Sequence, residues 1–443
     1  MSKKVVIILI IIFPFQIFCI LLRNDLYFID NSQGKFGIDL CLSSNGIPDE
    51  DSWIRTWNDD SSSHGYALAI DIEDNIYVVG KTVADLALLK YSNSGELIWY
   101  QTWGGADIDL GSGVDIDNSG NIYVTGRTFS YGEGSADLCL LKYNNSGNLQ
   151  WVRTWGGNDL DAGLDVMVDP DGNIYVAGYT HTFGAGATDI ILIKYNSSGS
   201  QLWNKTWGGS GGDLGNELAL DSLNNIYLVG QTSSFGAGYY DIVLIKFNKT
   251  GAVQWNRTWG DDGLQYGNAI VIDSSDNIYV AGGYHRPCLV KYSNNGTKLW
   301  DKELDKGWWK GVFLDSSENI YVAGSGWFSN ERLQDFYLAS YNYSGEYNWD
   351  LIWGKKREDD CNDLALDSED NVYLVGSTLS YGTNGWNLIL VKNPEDIRKN
   401  IQDPVIGGYG PFLLLNLFIL VFILTIISCH KSVNKKQPKK LNE

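Results

Sequence analysis

Short apolar stretches recur along the chain, separated by clusters of Gly, Asn, Asp and Ser. Residues 163–207 carry one complete copy of the pattern. Val166 and Val168 alternate with Asp165, Met167 and Asp169, a period of two that predicts a strand. Pro170, Asp171, Gly172 and Asn173 predict a tight turn. Residues 174–178 are β-branched, aromatic or small and predict a second strand. A Gly-rich loop follows at 180–188, then a third strand at 189–195, a turn at 196–199 and a fourth strand at 201–207. No helix is expected in the repeat region.

The copy recurs at a spacing of about 50 residues, the mark of a repeat architecture. Asn-Ile-Tyr begins at Asn75, Asn121, Asn173, Asn225, Asn277 and Asn319, and Asn371-Val372-Tyr373 is the seventh occurrence. An Asp stands four positions before each Asn, from Asp71 to Asp367. A Trp-x-x-x-Trp pair recurs from Trp53/Trp57 to Trp349/Trp353, with Leu304 in place of the second Trp in the sixth pair. Seven units of four short strands predict an all-β, seven-bladed β-propeller of four-stranded antiparallel blades. The ends predict its closure. A strand at 52–57 precedes the first complete unit, and the last unit stops after its third strand at 387–392. The N-terminal strand should complete the last blade, leaving no open edge.

The run W-x-x-T-W-G-G, then D-x-x-G-N-I-Y-V-x-G-x-T, then D-x-x-L-x-K-Y-N-x-x-G resembles the SBBP seven-bladed propeller repeat, best between Asn158 and Trp207. The resemblance covers roughly residues 51–393 and departs from the pattern in the fifth and sixth units. It implies a propeller of surface or secreted prokaryotic proteins and carries no shared catalytic residue.

Composition narrows the classes. Aromatics at 13 % and apolar residues at 44 % exclude disorder, and 50 Gly exclude a coiled coil. A net charge of −20 argues against nucleic acid as a partner. Outside the repeats, residues 1–23 predict a signal peptide or signal anchor, and 24–50 a lead segment. The propeller takes 51–393 and a juxtamembrane linker 394–410. Residues 411–429 predict a transmembrane helix of about 28 Å. The basic tail 430–443 is expected in the cytoplasm and the propeller outside the cell membrane.

The paired Trp recur in nearly every unit and are expected to pack between blades. Asp85/Lys90, Asp137/Lys142, Asp189/Lys194 and Asp241/Lys246 are expected to pair along strand edges. Asp169, Asp171 and Asn173 have alternate spacing that makes them a calcium candidate; no other cofactor is implied. Long second-to-third and fourth-to-first connections should emerge on one face. Trp308, Trp309, Trp327 and Trp386 fall outside the pairs, and with His285, Arg286 and Arg332 they form the expected ligand-binding set. No catalytic motif is present. The expected function is a membrane-tethered extracellular scaffold that binds or adheres to a protein or glycan through the long-loop face. A carboxylate-dependent extracellular glycosidase or lyase is the alternative, and a structural cell-envelope spacer a third reading.

Overall fold

The computed structural model describes residues 9–12, 17–22, 25–29, 52–58, 62–284, 287–304, 307–327, 334–355, 357–382 and 385–394. Leu9–Ile12, Ile17–Leu22 and Asp25–Ile29 pair as a three-stranded antiparallel sheet. The described part of the apolar run in the expected signal segment is thus strand. The expected membrane helix 411–429 and tail 430–443 lie outside the described residues. Among those described, no helix is long and apolar enough to cross a membrane.

Seven further sheets each hold four antiparallel strands in order. Blades 1 to 6 span residues 64–103, 109–155, 161–207, 213–259, 267–303 and 308–353. Blade 7 consists of Asp359–Leu366, Val372–Thr378, Asn387–Lys392 and, as its outer strand, Trp53–Trp57. The register runs from Leu388 opposite Trp57 to Lys392 opposite Trp53. First strands touch one another around the ring, that of blade 7 closing on that of blade 1. Sevenfold count, strand order and closure by the leading strand all match the expectation.

Burial follows the sequence pattern. Second and third strands are nearly continuous apolar runs because each is covered on both faces by neighbouring blades, as Ile76–Lys81 and Leu86–Tyr91 are. Outer strands such as Leu97–Trp103 alternate between exposed and half-buried. The core therefore lies between blades. Leu68, Ile76 and Leu89 of blade 1 pack with Tyr373, Val375 and Leu390 of blade 7 and with Trp53. The paired Trp join this packing: Trp99 Nε1 donates to Asn145 O of the next blade at 3.3 Å, and Trp155 sits 5.1 Å from Phe183. Cys139, Cys288 and Cys361 are buried free thiols.

One glycine per blade is required by close approach. In the second strands, a Cβ on Gly178 would lie 1.9 Å from Ala162 O, opposite a bulge in the first strand. Its six counterparts meet a carbonyl at 1.8–2.0 Å.

The seven turn Asp close the first hairpins. Asp71 Oδ1 accepts the backbone N–H of Glu73 and Asn75, and its Oδ2 accepts from Asn75 Nδ2 and the Tyr77 hydroxyl. These Asp also receive lysines, which corrects the expected strand-edge pairs. Lys246 and Lys291 reach Asp221 and Asp273 at 3.2 and 3.3 Å, while Lys90 reaches Asp71 at 3.8 Å. The reason is geometric: Asp137 and Lys142, like the other pairs, are five apart along a strand, so they face opposite sides. The strand-start Asp serve the W-G-G corner instead. A Cβ on Gly156 would lie 1.8 Å from Asp137 Oδ1 and 2.8 Å from Asp161 Oδ2, so only glycine fits between the two carboxylates.

Closure has its own contacts. Trp53 Nε1 donates to Asn93 O of blade 1 at 3.2 Å, and Ser368 Oγ of blade 7 donates to Asp74 Oδ2 at 2.9 Å. Trp53 is 7 % exposed, stacked under the Arg55 guanidinium at 5.0 Å and edge-on to Tyr373. Trp53→Ala is therefore expected to cost about 3–5 kcal/mol in urea unfolding. Tyr347→Ala, on an exposed outer-strand position, should stay within about 0.5 kcal/mol. Equal losses for both would contradict closure by this strand.

Candidate functional site

Strand direction alternates, so every first strand starts, and every second strand ends, at one end of the ring. The second-to-third connections there are long in blades 2, 3, 4 and 7 (129–136, 181–188, 233–240 and 379–386), whereas the fourth-to-first connections, expected to be long, are as short as the hairpin turns in most blades. There the repeat stops repeating. The first strands carry His64, Leu110, Ala162, Leu214, Tyr266, Trp308 and Asp360 at one equivalent position. Two residues on stand Tyr66, Ser112, Leu164, Asn216, Asn268, Lys310 and Asn362. The second strands place Lys81 opposite His64, Arg127 opposite Leu110, Tyr179 opposite Ala162, Gln231 opposite Leu214, Ser325 opposite Trp308 and Ser377 opposite Asp360. The fold keeps its essential residues the same in every blade. Positions that vary from blade to blade are released from that demand, Asn216, Asn268 and Asn362 excepted, and they gather around the mouth of the central channel.

An arc of rings borders the mouth. Tyr240 lies 5.8 Å from Tyr266, Tyr266 5.7 Å from Tyr284, and Tyr284 meets Trp308 edge-on at 5.4 Å. Lys310 Nζ lies 5.1 Å over the Trp308 ring and donates to both oxygens of Asp360 at 2.9 and 3.0 Å and to Asn362 Oδ1 at 2.7 Å. Ser325 Oγ and Gln334 Nε2 also donate to Asp360. Across the closure, Trp386 lies 5.5 Å from His64, whose ring stacks parallel to Tyr66 at 6.1 Å. Trp308 Nε1 is buried without an acceptor.

Trp308 and Trp386 are thus half-buried members of one surface. Trp309 is not. It is 0 % exposed, stacked on Tyr337 at 5.0 Å in the core between blades 5 and 6. Consecutive residues on a strand face opposite ways, so one Trp faces the mouth and the next faces the core. Trp327 ends the strand Ile320–Trp327. His285, Arg286 and Arg332 lie outside the described residues. Sequence reasoning missed His64, Tyr66, Lys81, Arg127 and Asp360. It looked for unusual residue types, whereas comparing equivalent positions across the seven copies finds them.

The calcium candidate has another occupation. Asp169 already accepts from Asp171 N, Asn173 N, Asn173 Nδ2 and the Tyr175 hydroxyl at 2.8–3.0 Å. Among the described residues no group of three or more acidic, His or Cys side chains converges as metal ligands.

Below the mouth, acids join neighbouring first strands. Asp363 Oδ2 accepts from Leu68 N at 3.0 Å, Asp115 Oδ2 from Val168 N at 2.7 Å, Asp165 Oδ2 from Leu218 N at 2.8 Å and Glu217 Oε2 from Ile270 N at 2.7 Å. Asn216, Asn268 and Asn362 make parallel bridges to Gly267 O, Trp309 O and Gly65 O of the following blades. Burial pushes Asp115 up to about 6 and Asp363 up to about 7. Burial, with repulsion from neighbouring channel acids, raises Asp165 and Glu217 as well.

Comparison with known proteins gives one family match and distant relatives. A family described as a domain of unknown function (DUF5122) beta-propeller matches residues 170–201, within blade 3. The regulatory protein FlaEY of Caulobacter vibrioides is 29 % identical over 115 residues, 23 % of this chain and 12 % of that protein. An uncharacterized WD repeat-containing protein, L264, of Acanthamoeba polyphaga mimivirus is 20 % identical over 253 residues, 46 % of this chain and 16 % of that protein. The chain thus spans well under two thirds of either relative. The WD40 domain of Neurospora crassa Pan2 shares 10 % identity over 78 % of this chain and 97 % of that one, with a TM-score of 0.48. The chain is a β-propeller repeat protein; the match does not single out the SBBP type.

The channel acids set a pH dependence. Their folded-state values lie above the ordinary carboxylate range, so the folded chain holds protons that the unfolded chain has released. Stability from this source is present below about pH 4 and is lost as pH rises through about 6–7. The turn residues Asp71, Asp117, Asp221 and Asp273 act oppositely. Burial alone would raise Asp71, but hydrogen bonds from Asn75, Glu73 and Tyr77 outweigh it and lower the value, so their contribution disappears only in stronger acid. The melting temperature should therefore fall between pH 5 and pH 8, and Asp165→Asn should flatten that slope and raise the melting temperature at pH 8. A flat wild-type profile, or a lower value for the variant at pH 8, would contradict this.

Proposed function

We propose that this protein is a binding scaffold, tethered at the cell membrane with its propeller outside the cell, and that it holds a partner protein or glycan against the channel mouth. The observation that carries the reading is the arc of unlike residues, Tyr266, Tyr284, Trp308, Lys310, Trp386 and His64, set on an otherwise repeated frame. Rigid aromatic rings beside a cation are common anchors at protein interfaces, because they lose little conformational freedom on binding. His64, Trp308 and Lys310 stand on strands, with Tyr266, Tyr284 and Trp386 on the adjoining connections, so the frame fixes the spacing of half the set before a ligand arrives. The alternative, a carboxylate-dependent hydrolase, has less support. Each channel acid is engaged by a backbone N–H of the following blade, an arrangement suited to joining strands. The apolar run 411–429 and the lysines after it support the tether and its orientation.

The full chain, displayed on cells and in detergent, should bind at least one member of a panel of surface proteins and glycans. Trp308→Ala or Trp386→Ala should weaken that binding about tenfold or more, a change of about 1.4 kcal/mol, while Tyr347→Ala should leave it unchanged. Binding indifferent to both mouth variants would move the site elsewhere. Turnover of a polysaccharide, abolished by one carboxylate change, would replace the scaffold reading with the hydrolase.

A further inference from the structure

The mouth is not uniform around the ring. From blade 4 through blade 7, Asn216, Asn268, Lys310 and Asn362 each reach the next blade. At the equivalent places in blades 1 to 3, the side chains of Tyr66 and Ser112 make no hydrogen bond among the described residues, and that of Leu164 cannot make one. Two cations stand beside this unbridged sector. Lys81, paired in register with His64, has no ion pair and no hydrogen bond among the described residues. Arg127 donates from Nη1 to the Tyr179 hydroxyl at 3.3 Å and lies 5.6 Å from the Phe129 ring. Its Nε is buried with no acceptor.

The contrast with the other basic residues is informative. Lys90, Lys246, Lys291 and Lys392 each meet a turn Asp. Arg55, Arg153 and Arg257 each donate to a glycine carbonyl in the following blade's outer turn. Those roles repeat because the fold repeats them. Arg127 and Lys81 occupy a position filled by Tyr179, Gln231, Ser325 and Ser377 in other blades, so the fold does not ask for a cation there. A buried guanidinium edge without an acceptor costs stability unless a ligand supplies one. Lys81 lies opposite His64 in register, the His64 and Tyr66 rings stack on each other, and Arg127 stands at the equivalent position of the next blade, so the two cations border one platform. The Asp360 carboxylate, which also acts on both rings, is already held by Lys310.

We infer that Lys81 and Arg127, with His64 and Tyr66 between them, form an anion-recognition site at the mouth that takes a side-chain carboxylate of an acidic peptide segment. The inference rests on the mouth being the ligand-binding face and adds the charge of the ligand. Arg127 offers the planar fork that matches a carboxylate, and Lys81 a second, mobile donor. A peptide fits better than an acidic glycan. Sugars stack on open ring faces, and here His64 covers a face of Tyr66 while Trp386 lies against His64. The −20 charge repels an acidic ligand at long range, so recognition has to be made at contact, where a half-buried pair is little screened.

A random-peptide display library selected on the full-length chain tests this directly. Binders should be enriched in Asp and Glu. Resynthesised with Asn and Gln in their place, they should bind about tenfold more weakly, one charge-assisted hydrogen bond's worth of affinity. In an Arg127→Gln, Lys81→Gln double variant the acidic and amide peptides should bind alike. The comparison of twin peptides on the unaltered protein does not depend on the variant folding. Selected peptides that lose nothing on amidation would overturn the anion site and leave the mouth as a neutral binding face. Failure of all peptides, with binding of uronate-bearing glycans instead, would overturn the choice of ligand. Failure of every ligand at the mouth would overturn the site and the scaffold reading together.

Discussion

The pairing of Trp53–Trp57 with Asn387–Lys392 turns a row of seven sheets into a ring. Without it the last blade would end on an exposed third strand and the first on an uncovered face. Loop-closure entropy grows only slowly with chain length, so the separation of more than 300 residues is not a prohibitive cost. It is offset by the buried Trp53 ring, by Ser368 on Asp74, and by Asn362 and Asp363 reaching Gly65 and Leu68. The same closure brings Trp386 against His64. One contact set therefore holds the ring and assembles the blade 7 to blade 1 side of its mouth.

Around the ring the structure divides residues into two kinds. The turn Asp, the second-strand Gly and the paired Trp answer demands that every blade makes equally, and they recur. Residues at the channel mouth, apart from the bridging Asn216, Asn268 and Asn362, answer no such demand. Lys310 bridges to Asp360 where its counterparts are Asn, Tyr, Ser or Leu. The mouth is consequently rigid in backbone and individual in chemistry, which suits selective binding on a repeated frame.

Much of this was legible in the chain. Period-two alternation and the recurrence of Asn-Ile-Tyr gave strands, blades and count, and a surplus strand facing a vacancy gave closure. Errors arose where sequence spacing stood in for direction. Asp137 and Lys142 looked paired but lie on opposite sides of their strand, and in blade 1 Lys90 goes to Asp71. Trp308 and Trp309 looked alike, yet only Trp308 faces the mouth while Trp309 fills the core. Arg127 and Lys81 went unnoticed because neither residue type is rare; their meaning appears only when the seven copies are set side by side.

Native-state hydrogen exchange of the full-length chain tests the closed ring most directly. The amides of residues 53–57 and 387–392 should exchange together, and as slowly as those of the second strand Ile174–Thr180 in the middle of the chain, because they open only when the ring opens. Rapid exchange at 53–57, with residues 174–180 still protected, would mean that the leading strand is not part of the ring and that the mouth is not assembled as described.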